Sequence, residues 1–326
     1  MSVGRRFHTA TTLANGLVLV AGGHNVIFLK SAELYNESTG TWTTTGNMNA
    51  ARQHHTASRL ANGLVLVAGG HNGLAGYFKS AELYNELTGN WTTTGNMSVA
   101  RIDHTASRLV NGLVLVTGGW NGYEGFHNSA ELYNESTGTW TTTGNMSVQR
   151  RFHTASRLAN GLVLVAGGHD GASFLNSAEL YNPSTGTWAI TGNMNAARQY
   201  HTASTLANGL VLVAGGYNGA SYFNSAELYD LSTGTWTTTR SMNVVRGYHT
   251  ASTLANGLVL VAGGYNDIAG YLTSVELYNL LTDTWTITGN MDIARQYHTA
   301  SILANGKVLV TGGYNQVDIF NSAELY

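Results

Sequence analysis

Residues 55–97 read HTASRLANGLVLVAGGHNGLAGYFKSAELYNELTGNWTTTGNM, and this stretch decides the fold. Its fragment His-Thr-Ala recurs at His8, His55, His104, His153, His201, His249 and His298, at spacings of 47 to 49 residues. After each comes a run like Leu64 to Gly70, then Ser-Ala-Glu-Leu-Tyr or a near variant. In the first six units Thr-Gly-x-Trp-Thr or a near variant follows, and then Gly-Asn-Met or a near variant. A period of this length marks a repeat architecture in which one unit cannot bury its own apolar faces.

Read as secondary structure, one unit holds four short strands and no helical periodicity. The first spans His55 to Leu60. Asn62-Gly63, flanked by apolar runs, is a hairpin signal. The second, Leu64 to Ala68, is a continuous apolar run suited to a strand buried on both faces. The third covers Ala81 to Tyr84 and the fourth lies around Trp91 to Thr94. Stacking such four-stranded units side by side buries both faces of each sheet, which is the propeller solution.

The apolar strand ending in Gly-Gly, then Glu-x-Tyr, then Trp at this spacing resembles the kelch repeat, over essentially the whole chain. The expected fold is therefore all-β: one seven-bladed kelch-type β-propeller over residues 1–326, with blades of four antiparallel strands. Its units start near residues 1, 48, 97, 146, 194, 242 and 291. The seventh stops at Tyr326, at the end of its third strand, so the last blade is expected to lack its outermost strand. Met1 aligns with Met48, Met97 and Met146, as expected of a chain cut from a longer repeat array. The unfilled edge at Ser322 to Tyr326 is a hazard for pairing between chains.

Composition narrows the function. Net charge is -2 and only 10% of residues are charged, which leaves no electrostatic footprint for nucleic acid or a membrane surface. No apolar run approaches the length of a membrane span. There is no Cys, which excludes disulfides, thiolate metal sites and redox motifs. Among kelch-like enzymes, the copper radical oxidases resembling galactose oxidase need a Cys crosslinked to Tyr, and this chain has none. Nothing in the sequence asks for a cofactor, a metal or a catalytic residue.

Positions that stay constant from unit to unit are expected to serve packing. The seven His of His-Thr-Ala are spread around a circle, too far apart to share one ion, and are expected to bond between blades. An Arg lies three residues before each His (Arg52, Arg101 and so on), and a Glu sits in every third strand (Glu82, Glu131 and so on). These charges are expected to pair, because a buried charge needs a partner. No helix follows the Gly-Gly pairs, so they are expected to admit a neighbouring side chain rather than to bind phosphate.

Two stretches vary: the residues just before His-Thr-Ala, and the loop between the second and third strands. In an antiparallel four-stranded blade both emerge on one face, and the kelch resemblance implies that this face binds partners. The residue after Gly-Gly is His24, His71, Trp120, His169, Tyr217, Tyr265 or Tyr314. The residue before His-Thr-Ala is Phe7, His54, Asp103, Phe152, Tyr200, Tyr248 or Tyr297. Arg6 and Arg151 add positive charge. Large amphipathic rings with Arg are the usual carriers of interface energy, and they also suit sugar stacking. The expected function is a non-enzymatic module binding a protein or peptide, with a glycan-binding propeller or a designed or excised scaffold without a ligand as alternatives and an enzyme as the least expected reading. His54 beside Asp103 in the next blade is the single non-repeating acid–base pair of that face. The loops differ in length and content, as in Leu74 to Phe78 against Ala172 to Leu175. Arg59, Arg108 and Arg157, at one first-strand position in three successive blades, are expected to be a solvated patch near the opposite face.

Overall fold

The computed structural model describes residues 1–73 and 76–326; Leu74 and Ala75 of the second loop lie outside the described residues. The fold is all-β, a seven-bladed propeller with six sheets of four antiparallel strands and a last sheet of three. No helix occurs among the described residues. The chain divides into two compact units. One comprises residues 1–151 and 298–326, which hold blades 1, 2, 3 and 7; the other comprises residues 152–297, which hold blades 4, 5 and 6.

Blade 2 shows how the repeat becomes a sheet. Its strands are Thr56–Arg59, Val65–Ala68, Ala81–Asn85 and Asn90–Thr93, paired in sequence order. The first strand ends in a tight turn closed by the Gly63 N–H donating to the Leu60 carbonyl (3.3 Å), with the Leu60 N–H donating to Leu64 O (2.8 Å). Gly63 takes φ 85°, while Asn62 keeps an ordinary negative φ. This is a three-residue hairpin with its left-handed residue last, which is why Gly is needed there. The second strand is buried at all four positions, as the unbroken apolar run requires.

Within each compact unit, neighbouring blades join by recurring contacts. Leu19 and Ala21 of blade 1 pack with Val65, Val67 and Tyr84 of blade 2 over Met48. The Tyr84 ring lies 5.0 Å from Trp91 of its own blade, and the Trp91 indole N–H donates to Gly46 O of the blade before (2.8 Å). The same bond runs from Trp140 to Gly95 and from Trp236 to Gly192. The constant histidines bond across the junction as expected. His55 Nε2 lies 3.0 Å from Thr9 Oγ1, His104 Nε2 3.0 Å from Thr56 Oγ1, and His201 Nε2 3.1 Å from Thr154 Oγ1. Blade 7 uses the same contact on blade 1, with His8 Nε2 2.9 Å from Thr299 Oγ1 and the Arg5 N–H donating to Phe320 O at 3.0 Å.

The constant charges pair inside their blades. Arg52, Arg101, Arg198 and Arg246 are fully buried and meet Glu82, Glu131, Glu227 and Glu276 at 2.7–2.9 Å. Each Arg also donates to two backbone carbonyls, as Arg101 does to Gly118 and Ser129. The Glu82 carboxylate accepts the Asn49 and Ala50 N–H groups as well. Burial lowers the affinity of these guanidiniums for their proton, and the paired carboxylates oppose it. Gly22 explains the Gly-Gly pair: a Cβ there would meet Arg52 O at 2.7 Å and the His55 imidazole at 2.8 Å. A side chain would wedge the blades apart.

Candidate functional site

In blades 1, 2, 3, 5 and 6 the residue after Gly-Gly bridges the residue two before His-Thr-Ala. Arg6 bridges His24, Gln53 bridges His71, Ile102 bridges Trp120, Gln199 bridges Tyr217 and Gly247 bridges Tyr265. Within each of these blades the two variable stretches therefore lie side by side. All sixteen residues named for these stretches, Arg6 and Arg151 included, are of intermediate exposure.

The row before His-Thr-Ala shares an unusual backbone. Phe7, His54, Asp103, Phe152, Tyr200, Tyr248 and Tyr297 all have φ between 53° and 58°. A left-handed conformation costs a non-glycine residue about 1–3 kcal/mol and persists where its surroundings impose it. Here the ladder on both sides imposes it, and no blade has relieved it with Gly.

In the first unit this row carries imidazole and acid. The Phe7 and His54 rings stack with centroids 4.1 Å apart. His54 Nδ1 lies 2.9 Å from Asp103 Oδ1, and the Asp103 side chain is only 6% exposed. The His54 ring also faces His71 at 5.8 Å, and His71 Nε2 is 2.8 Å from the Gln53 amide nitrogen. Burial lowers the His71 pKa, helped by His54 and opposed by Asp103; His24 is lowered by burial and by Arg6 and His54. The cations are stacked on rings. The Arg6 guanidinium lies 4.5 Å from the Tyr314 centroid and 5.1 Å from Phe7, and Arg151 lies 5.4 Å from Trp120 and 5.1 Å from Phe126.

The second unit carries a tyrosine cluster. Phe152, Tyr200, Tyr248 and Tyr297 form a continuous row, with successive centroids 4.3, 4.0 and 4.9 Å apart. Burial and then the neighbouring tyrosines push the Tyr248 phenol pKa up, so it stays a neutral donor. Tyr217 and Tyr265 stand beside this row, and His169 meets Phe174 at 4.9 Å.

A third tier escaped the sequence reading. Phe28, Tyr77, Phe126, Phe174, Tyr222 and Tyr271 return from the loops to pack on the residue after Gly-Gly, at 4.7–5.6 Å where His24, His71, His169, Tyr217 and Tyr265 are the partners. Trp120 pairs with Phe126 across a two-stranded hairpin. An aromatic recurs in these loops, but their unequal lengths hide its alignment. Exposed apolar tips stand at the same loops, Val26, Ile27, Tyr123 and Val317 in the first unit and Ile268 in the second. On the first-strand patch, Arg59 and Arg108 are exposed, as expected. Among the described residues no group of three His, Cys, Asp or Glu is arranged to hold a metal ion.

Comparison with known proteins agrees with this architecture. Residues 54–244 match the family model described as the KLHDC2/KLHL20/DRC7 Kelch-repeats domain, and residues 5–49 and 246–292 match the Kelch motif. Among solved structures, the chain is similar to a fungal alcohol oxidase of the AA5 family in complex with copper. The TM-score is 0.78 at 18% identity, over 96% of this chain and 70% of that one, a likeness of fold alone. No curated protein matches the sequence.

Proposed function

We propose that this chain, which belongs to the kelch-repeat family, is a non-enzymatic binding module that takes a protein or peptide on its aromatic face. One observation carries the reading. The seven residues before His-Thr-Ala, none of them glycine, hold a left-handed backbone position where glycine would be the relaxed choice. Retained strain of this kind clusters at functional positions. Rings already packed against one another lose little side-chain freedom on binding, which lowers the cost of association. Tyr, Trp and Arg dominate the face, and these residues carry most interface energy. The chain's constant residues, by contrast, spend their polar groups inside and between blades.

The test is affinity capture with the wild-type chain and with a Trp120→Ala/Tyr217→Ala/Tyr265→Ala variant, read by mass spectrometry. Polypeptides held by wild type and lost by the folded variant support the reading. Equal recovery by both baits overturns this face as a polypeptide site. Retention of neutral oligosaccharides on an array, with no polypeptide difference, would turn the reading to carbohydrate, for which the adjoining rings of Tyr200, Tyr248 and Tyr297 are suited.

A further inference from the structure

At three junctions the loop aromatic of one blade lies over a glycine of the next. A Cβ on Gly73 would meet the Phe28 ring at 2.9 Å, one on Gly122 the Tyr77 ring at 2.9 Å, and one on Gly219 the Phe174 ring at 2.4 Å. Each glycine stands two residues after the residue that follows Gly-Gly, and the ring above it closes the junction.

Between blades 5 and 6 this arrangement is exchanged. The loop position holds Asp267 instead of Gly, and the glycine occurs at 247, where blades 2, 3 and 5 carry Gln53, Ile102 and Gln199. The Tyr222 ring rests on Gly247, whose Cβ would meet it at 3.0 Å. The result is an open pocket of about 280 Å³ lined by Tyr222, Val245, Asp267 and Ile268. Its floor is rigid. Asn266 is 1% exposed, donates from Nδ2 to Val245 O (2.7 Å), and accepts the N–H groups of Ile268 (2.9 Å) and Ala269 (2.7 Å). Asp267 and Ile268 are thereby held at the turn of the Tyr265–Asn266/Gly270–Tyr271 hairpin. Ile268 is 88% exposed. The Asp267 carboxylate has no hydrogen bond or ion pair among the described residues, yet it lies close enough to Tyr222 to raise its phenol pKa, after burial the largest cause.

We infer that this pocket receives the side chain of a lysine or arginine from the bound polypeptide. The inference rests on the proposed function and names the chemistry its face selects. The pocket is smaller than a drug-sized cavity and fits one long side chain. Val245 and Ile268 offer apolar surface to the methylene stem, Tyr222 offers an aromatic ring to the cation, and Asp267 supplies the counter-charge. An acidic side chain would be repelled, and an apolar one would leave Asp267 desolvated without a partner.

The full chain, immobilised, is panned against a random heptapeptide library alongside Asp267→Asn and Gly247→Gln. Wild type is expected to enrich peptides with Arg or Lys at one register beside apolar residues. An enriched peptide should bind Asp267→Asn about tenfold more weakly, as loss of one charge-assisted contact implies. Gly247→Gln, which displaces Tyr222 from its rest, should lower the same preference. Enriched peptides with no basic register, or with affinity unchanged in Asp267→Asn, would overturn the pocket and leave the binding module standing. No enriched peptide at all, together with equal recovery by both capture baits, would overturn the proposed function and the pocket with it.

Discussion

Acidification should unfold this protein through its inter-blade histidines. His8, His55, His104 and His201 are buried and bonded through Nε2 to a threonine of the preceding blade. Burial, and next the nearby Arg5, Arg52, Arg101 or Arg198, disfavours their charged form: His8 and His55 fall well below the ordinary value, and His104 and His201 fall to about 3. In the unfolded chain each titrates near 6.5. Well above that value both states are neutral and nothing is lost. Below it the unfolded state binds protons that the folded state refuses, so stability falls as pH drops from 6.5 toward the folded values. At pH 5.0 each group costs about 2 kcal/mol, and four cost about 8 kcal/mol, comparable with the whole stability of a typical domain. Urea unfolding followed by tryptophan fluorescence at pH 7.5, 6.5, 5.5 and 5.0 measures this directly. The midpoint should slip modestly between pH 7.5 and 6.5, by about 1.4 kcal/mol for the four groups, and then collapse. A fall of less than about 2 kcal/mol between pH 7.5 and 5.0, less than one histidine's share, would refute the reasoning.

Other perturbations probe other joints. Arg101→Ala or Glu131→Ala should each cost about 3–5 kcal/mol in equilibrium unfolding, because each strands a buried charge, and the double variant should cost clearly less than the two together. His127 is a buried histidine where other blades carry Leu or Phe, and burial holds its pKa at about 4. His127→Phe should therefore gain about 1–2 kcal/mol relative to wild type on going from pH 7.5 to 5.0, read from the same urea curves. Gly46→Ala places a Cβ 2.3 Å from Gly89 O. It should lower the melting temperature by several degrees, whereas equal melting would show that the junction can open at no cost.

The architecture was legible because its determinants repeat. Seven copies of one pattern expose the positions that every blade must fill, and the structure finds those residues engaged: His on Thr, Arg on Glu, Trp on a carbonyl of the preceding blade. The candidate face was legible only as a list of types. Residues as different as Phe7, Asp103 and Tyr248 share one left-handed backbone. No local signal announces this, since the conformation is set by the ladder around them rather than by their own preference. The contact of His54 with Asp103 likewise depends on two adjacent blades turning those side chains toward each other.

The exchange at blade 6 shows why variation, more than the consensus, points toward chemistry here. A glycine lost at Asp267 and a glycine found at Gly247 look in sequence like two unrelated departures. In the structure they meet on the same ring, Tyr222, and together convert a closed junction into a pocket with one unpaired carboxylate. A second exchange occurs on the far side of the same pair of blades. Arg240 and Asp283 stand where other junctions have two facing glycines, and the Arg240 N–H and Thr239 hydroxyl both donate to the Asp283 carboxylate. There the new acid is consumed by its neighbours, and the junction stays closed by the Trp285 indole donating to Arg240 O at 2.8 Å. Two acids, Asp267 and Asp283, thus enter the same blade at former glycine positions with opposite fates. The one whose hydrogen bonds are spent inside the fold is scaffold, and the one held out by a rigid hairpin beside an aromatic wall is free to meet a ligand.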